Sequence, residues 1–374
     1  MSSSSSRILV VRPEKLGDLV VATPVFRALR NAYPRARISV LTDQIYGVIL
    51  QDDPHVDEVI TIDWKSRDHG NHESIGSIIA KLRPRGFDLA LILFANWSGW
   101  NLVTAFAGIK RVVQLGGTWP ALFLGHQMVR RKAYERRLHY RDYFMETAEA
   151  AGAFLPDGDH GDPKLFLNAA SKAAFLERYP RRPGTSRVIL HPFGHGTSPN
   201  YSPASYASLA LQIAEELGLE VWLTGGRGDL ASWPGVSHPL IHNDWLGTLS
   251  LREMMVACNS VDAVICGSTG VIHMASALGT PCIGLFCPHP GSHPSAWGPI
   301  GARGKILIVP VALCRKLCSS SSSCSADNEC DLICGISHQQ IIDSLKEVFQ
   351  MTNANDYPCR GEGGLTDSLT DGTK

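Results

Sequence analysis

Several short stretches of this chain combine residue types that could do chemistry. The first is Lys15-Leu16-Gly17-Asp18. Gly17 permits a tight turn or a close ligand approach. Asp18 could take a proton from an attacking hydroxyl, and Lys15 puts a cation beside it. An aspartate at a helix start also serves as a cap, the commoner use of that residue type. The second stretch is Gly267-Ser268-Thr269-Gly270-Val271-Ile272-His273. Small residues at a helix start leave free N–H groups and a positive dipole for an anion. Thr269 adds a hydroxyl, and His273 in the first turn could reach the same anion. The spacing is not that of a P-loop or of a dinucleotide fingerprint, and an ordinary capped turn has the same composition.

Two further loops have a matching character. His191-Pro192-Phe193-Gly194-His195-Gly196-Thr197-Ser198 carries glycines and, in Thr197 and Ser198, hydroxyls suited to a diphosphate. A plain surface loop fits it equally. In Gly225-Gly226-Arg227-Gly228-Asp229, the Asp229 carboxylate could accept from ribose hydroxyls or belong to a simple turn. Arg130, Arg131, Lys132, Arg136, Arg137 and Arg141 form a basic stretch suited to an acidic acceptor or an anionic membrane. Such runs are more often solvated helix faces. Cys314, Cys318, Cys324, Cys330 and Cys334 are spaced C-x3-C-x5-C-x5-C-x3-C. Zinc knuckles pair their cysteines as C-x2-C, so no metal is assigned to them.

Positioning these loops requires parallel strands. Apolar runs at Ile8–Val11, Ile38–Leu41, Glu58–Ile62, 88–94 and Val112–Val113 predict strands, with a helix running from the Asp18 turn to about Tyr33. Thr23 and Pro24 read as the cap and first position of that helix's regular part. Between Leu155 and Thr185 the chain turns rich in proline and glycine around a helix over 169–178, and the domain linkage is placed there. Strand-helix alternation then restarts: strands at 187–191, 220–224, 263–266 and 282–286, with helices at 205–217, 251–258, 271–278 and 336–349. Continuous apolar strands separated by helices imply parallel sheets covered on both faces. Ligands bind such sheets at the carboxyl ends of their strands. The predicted division is 7–165, 185–350 and a disordered polar tail over 352–374.

The bulk properties agree. A chain of 374 residues accommodates two domains. With 35 basic and 35 acidic residues, it lacks the charge of a nucleic-acid binder. The apolar run 89–94 is strand-sized, well short of the roughly 20 residues of a membrane span. Met1–Ser6 has no basic or apolar signal region. A cytoplasmic location with reduced cysteines is therefore expected.

Together these blocks resemble glycosyltransferase family nine, the bacterial heptosyltransferase family of lipopolysaccharide core synthesis. The resemblance is carried by Arg7–Arg12 with Leu16-Gly17-Asp18, Thr23-Pro24, Ala28-Leu29-Arg30 and Tyr33-Pro34. It continues through His139-Tyr140-Arg141-Asp142, Leu223-Thr224-Gly225-Gly226 and Leu246–Glu253. It ends on Ser268-Thr269-Gly270 to His273, Ala275–Pro281, Leu285-Phe286 and Trp297-Gly298-Pro299. It implies an α/β GT-B fold of two Rossmann-like domains with a cleft between them. The N-terminal domain would take a saccharide or glycolipid acceptor and the C-terminal domain an ADP-sugar. Transfer would invert the anomeric centre without a metal or cofactor. Asp18 would be the base. Thr269, Gly270, His273 and Ser268 would line the donor, joined by Thr197, Ser198 and Asp229. Lys15, Arg136 and Arg137 are assigned to the acceptor.

Two departures stand out. Ser268 occupies the place of the family's aspartate in D-T-G-x-x-H. The family's phosphate-binding lysine is absent, with Ser198-Pro199-Asn200-Tyr201 in its place. The expected activity is transfer of heptose from ADP-heptose to lipopolysaccharide core or a related glycan, with possible contact at the cytoplasmic face of the inner membrane. The alternatives are another nucleotide sugar, used for capsule, glycan or protein glycosylation, and a sugar-nucleotide binder without turnover.

Overall fold

The computed structural model describes residues 6–64, 73–93, 99–117, 119–129, 139–194, 198–289, 291–301, 303–317 and 335–353. Leucine-, valine- and isoleucine-rich runs form two six-stranded sheets. The first holds β1 (Arg7–Val11), β2 (Arg37–Asp43), β3 (Glu58–Ile62), β4 (Leu89–Ile92), β5 (Arg111–Leu115) and β6 (Gln127–Val129), in the order β3-β2-β1-β4-β5-β6. The second holds β7 (Arg187–His191), β8 (Glu220–Leu223), β9 (Ile241–His242), β10 (Ala263–Gly267), β11 (Cys282–Phe286) and β12 (Gly304–Ile308), ordered β12-β11-β10-β7-β8-β9. Every pairing is parallel.

The central strands were legible because both faces are covered; Leu9, Val10, Val264 and Ile265 are fully buried. The edge strands β6, β9 and β12 were not predicted. Two of them are only two or three residues long, and β12 alternates between exposed and half-buried positions. In each sheet the strand order reverses, between β1 and β4 and between β7 and β10. Such reversals open crevices at the carboxyl ends of the strands.

The linking segment is tied to both units. Arg27 pairs with Asp159 at 2.7 Å, and the Leu165 amide donates to the Ala277 carbonyl at 3.1 Å. Asn168 caps the helix Ala169–Arg178 and also binds Asp52, which pairs with Arg252. The buried Arg187 guanidinium holds Glu220 at 3.1 Å and the carbonyls of Tyr179 and Pro180. Thr23 is not a cap, because Ala22 takes that place. Its hydroxyl donates to Val20 at 2.8 Å and accepts from the Lys164 amide at 3.1 Å. The last helix, His338–Asn353, covers the second sheet. Residues 352 and 353 of the expected tail are thus helical, and 354–374 lie outside the described residues.

Two helix starts from different sheets meet directly. A Cβ added to Gly17 would stand 2.8 Å from a His273 ring carbon, and one added to Gly270 would stand 2.8 Å from the Leu16 Cβ. Beside this contact His139 Nε2 donates to the Gly298 carbonyl at 2.9 Å, while its Nδ1 accepts from the Arg141 amide at 3.1 Å. Tyr140 stacks on Trp297 with ring centroids 3.9 Å apart.

The two histidines at this junction are held neutral. Burial, reinforced by His139, pushes His273 down to about 3 from an ordinary 6.5. Burial likewise pushes His139 down to about 4. The unfolded chain binds these protons near pH 6.5 and the folded chain does not. The stabilisation is therefore complete above about pH 6.5 and is lost as pH falls toward the folded values, at up to about 1.4 kcal/mol per pH unit per histidine. Urea unfolding between pH 7 and pH 5 should show this loss, and His273→Asn should make the slope shallower. An unchanged slope would remove His273 as its source.

Candidate active site

The carboxyl ends of β1, β2, β7, β8 and β10 open onto one cavity of about 820 Å³. Its N-terminal wall is the 13–17 turn with Asp43, Ile45, Tyr46 and Trp64. Its C-terminal wall is formed by Phe193 and Gly194, Ser198 to Asn200, Gly225, Gly226 and Asp229, and Ser268 to Val271.

On the N-terminal side, Lys15 is the N-cap residue of the short helix Leu16–Val21. Its φ of 33° is the only positive value among the described non-glycine residues, a strained conformation of the kind that gathers at functional sites. Asp18 sits in the first turn and is not a cap. It pairs instead with Arg12, whose Nη1 donates to the Leu93 carbonyl at 2.8 Å and whose guanidinium lies 5.2 Å from the Phe144 ring centroid. The Asp18 side chain keeps 12% of its surface exposed, and it lies just behind Gly17 rather than on the wall itself.

On the C-terminal side, Thr269 is an extended N-cap whose hydroxyl caps none of the N–H groups of the helix Gly270–Ala277. The Ile272 amide donates to the Thr269 carbonyl at 3.3 Å, which leaves the N–H groups of Gly270 and Val271 without intrahelical partners, and Ser268, Thr269 and Gly270 all line the cavity. Below them burial pushes the Cys266 thiol up to about 12, which leaves it inert.

His273 departs from expectation. It lies a turn further along the helix, is 6% exposed, and packs under Gly17 and against Trp297 instead of facing the cavity. Asp229 is on the wall, but its Oδ2 already accepts from the Gly226 amide at 2.6 Å, which is the turn reading of that loop. Ser198 and Pro199 stand on the wall without a cation. Asn200 is committed to scaffolding: Oδ1 accepts from the Tyr201 amide and the Tyr206 hydroxyl, and Nδ2 donates to the Pro192 carbonyl.

The structure also contributes residues the sequence reading missed. Asp43 is buried and accepts from the amides of Ile45 at 2.8 Å and Trp64 at 3.0 Å, fixing that part of the wall. Burial raises the Tyr46 phenol above its usual range, helped by Asp43, Asp18 and Glu14. The signal for Asp43 was its place at the carboxyl end of the strand beside β1.

Thr197, Arg136, Arg137, Cys318, Cys324, Cys330 and Cys334 lie outside the described residues. Arg141 turns to Asp142 and the His160 carbonyl. Among the described residues no cluster of histidine, cysteine or carboxylate side chains could hold a metal ion.

Comparison with known proteins matches this arrangement. Residues 75–323 fit the model of glycosyltransferase family 9 (heptosyltransferase). Lipopolysaccharide heptosyltransferase 2 of Escherichia coli is 24% identical over 317 residues, covering 80% of this chain and 87% of that protein. The glycosyl transferase family 9 structure from Veillonella parvula superposes with a TM-score of 0.74 at 19% identity, over 94% of this chain and 99% of that one. Escherichia coli heptosyltransferase WaaC with ADP-2-deoxy-2-fluoro heptose gives a TM-score of 0.60 at 17% identity, over 93% and 100%. The two-sheet fold is the GT-B fold of these structures, and the chain belongs to glycosyltransferase family 9.

Proposed function

We propose that the cleft moves heptose from ADP-heptose onto a lipopolysaccharide core or a related glycan, inverting the anomeric centre. The observation that carries this reading is the meeting of the Lys15–Gly17 turn, with Asp18 directly after it, and the Thr269–Gly270 helix start on one cavity. The donor diphosphate would sit against the open N–H groups of that helix start. The acceptor sugar would lie against Tyr46 and Trp64 on the opposite wall. The acceptor hydroxyl attacks the anomeric carbon, the bond from that carbon to the phosphate oxygen breaks, and ADP departs. Asp18 takes the hydroxyl proton. Arg12 holds Oδ1 and so sets the orientation of the carboxylate, leaving Oδ2 for the proton. The helix N–H groups stabilise the charge that develops on the leaving phosphate.

One observation favours a different donor sugar on the same machinery. Ser268 lies on the wall where the family pattern has a carboxylate, and a neutral hydroxyl cannot offer sugar hydroxyls a charge-assisted acceptor. Asp18→Asn should lower kcat by about 100-fold or more, the usual scale of general-base help, with donor affinity retained. Equal turnover and an unchanged pH profile in the variant would remove Asp18 as the base.

We also propose that the protein reaches its acceptor at an anionic membrane surface. Among the described residues no helix is long and apolar enough to cross a membrane. The short helix Trp119–Phe123 leaves the carboxyl end of β5 with Trp119 78% and Phe123 84% exposed. The basic stretch begins at Arg130, directly after β6. Exposed aromatic and apolar groups beside basic residues suit an anionic interface. Flotation with vesicles containing anionic phospholipid should carry the protein upward. Replacing Trp119 and Phe123 together by serine should reduce the bound fraction several-fold at unchanged melting temperature. Binding to neither anionic nor neutral vesicles would end this part of the reading.

A further inference from the structure

We infer that Lys15 supplies, from the N-terminal side of the cleft, the positive charge for the donor diphosphate that the described residues of the C-terminal wall do not provide. This rests on the donor reading above and moves Lys15 from the acceptor, to which the sequence pattern assigned it, to the donor.

Four observations converge. First, the loop expected to carry a lysine presents Ser198 and Pro199 to the cavity, and Asn200 is consumed by its own scaffold. Second, Lys15 is the one lysine or arginine on the cavity wall among the described residues, and it makes no ion pair there. Third, its backbone is strained, with φ at 33° and ψ at 136°. A glycine would tolerate a positive φ with less strain, yet the chain has a long cation there.

The fourth observation is distance. Leu16 touches Gly270, where an added Cβ would approach the Leu16 Cβ to 2.8 Å. Lys15 is one residue from that contact, about 3.8 Å along the backbone. Lys15 lines the same cavity as Thr269 and Gly270, and its four-carbon stem is long enough to carry the ammonium across to that helix start. There it would join the helix N–H groups around a phosphate as a charge-assisted donor. Because the cation comes from the opposite domain, a bound diphosphate would also bridge the two halves at the junction where Gly17 meets His273.

The test measures ADP and AMP binding to the full chain by calorimetry, with Lys15→Met, Lys15→Arg and Lys15→Gly. Lys15→Met removes the charge and keeps the stem. Lys15→Gly removes the charge and relieves the strain, so a folding defect in the first variant would not leave the question open. Both should weaken ADP about tenfold, the scale of one charge-assisted contact. AMP, without the second phosphate, should weaken by less than about threefold. Lys15→Arg should stay within about threefold of wild type for ADP. Added salt should weaken wild type more than Lys15→Met. Unchanged ADP affinity in both charge-removing variants would overturn the inference, and a raised acceptor KM alone would return Lys15 to the acceptor. If the wild-type protein binds no ADP at all, the donor reading fails first and this inference with it.

Discussion

Two helices from different domains touch at their amino ends only because Gly17 and Gly270 have no side chains. Everything proposed for the cleft depends on that contact. Each helix follows the central strand of its own sheet, β1 or β10, so the contact sets the carboxyl ends of two independent sheets face to face. A methyl group at either glycine would collide with Leu16 or His273 at 2.8 Å. Leu16, His273 or the helices that carry them would have to shift to absorb it. The neutral His139 and His273, the Tyr140–Trp297 stack and the linking-segment bonds of Arg27 and Leu165 hold the same junction from its two sides.

The electrostatics of the cleft follow from the same geometry. Asp18 follows the glycine contact by one residue and keeps 12% of its side chain exposed, and Arg12 is the counter-ion that makes its burial tolerable. A buried carboxylate without such a partner would cost several kcal/mol. Arg12 is itself fixed by the Leu93 carbonyl and the Phe144 ring, so the carboxylate inherits an orientation from three separate elements. On the other wall the proposed anion site would rest on backbone N–H groups, with Ser268 and Pro199 where charged side chains could have stood. Among the described residues the C-terminal wall thus carries no lysine or arginine, while a strained lysine stands on the N-terminal one.

Much of this was legible in the residues. Continuous apolar runs placed the central strands, and proline and glycine density placed the crossing between domains, because both signals are local. Three of the four edge strands escaped: β6 and β9 have only three and two residues, and β12 alternates between exposed and half-buried positions with no buried run. Asp18 and Thr269 were singled out as candidates from type and position. What a neighbouring element does to them was not visible. No spacing within the chain reports that Arg12 takes Asp18 away from capping, or that Gly17 roofs over His273 and turns it from a ligand candidate into a packing residue. Asp43, Tyr46 and Trp64 were missed for the same reason: they join the wall only once β2 and β3 pair alongside β1.

The central claim is that this cleft binds a nucleotide-diphosphate sugar at the Thr269–Gly270 helix start. The most direct measurement is the melting temperature of the full chain in a panel of ADP-, UDP- and GDP-sugars. A ligand at 100 times its dissociation constant should stabilise the folded state by about 2.7 kcal/mol. ADP-sugars should raise the melting temperature in a saturable way, and the free nucleotide diphosphate should do so in part. A flat response across the panel, at millimolar concentrations, would contradict it.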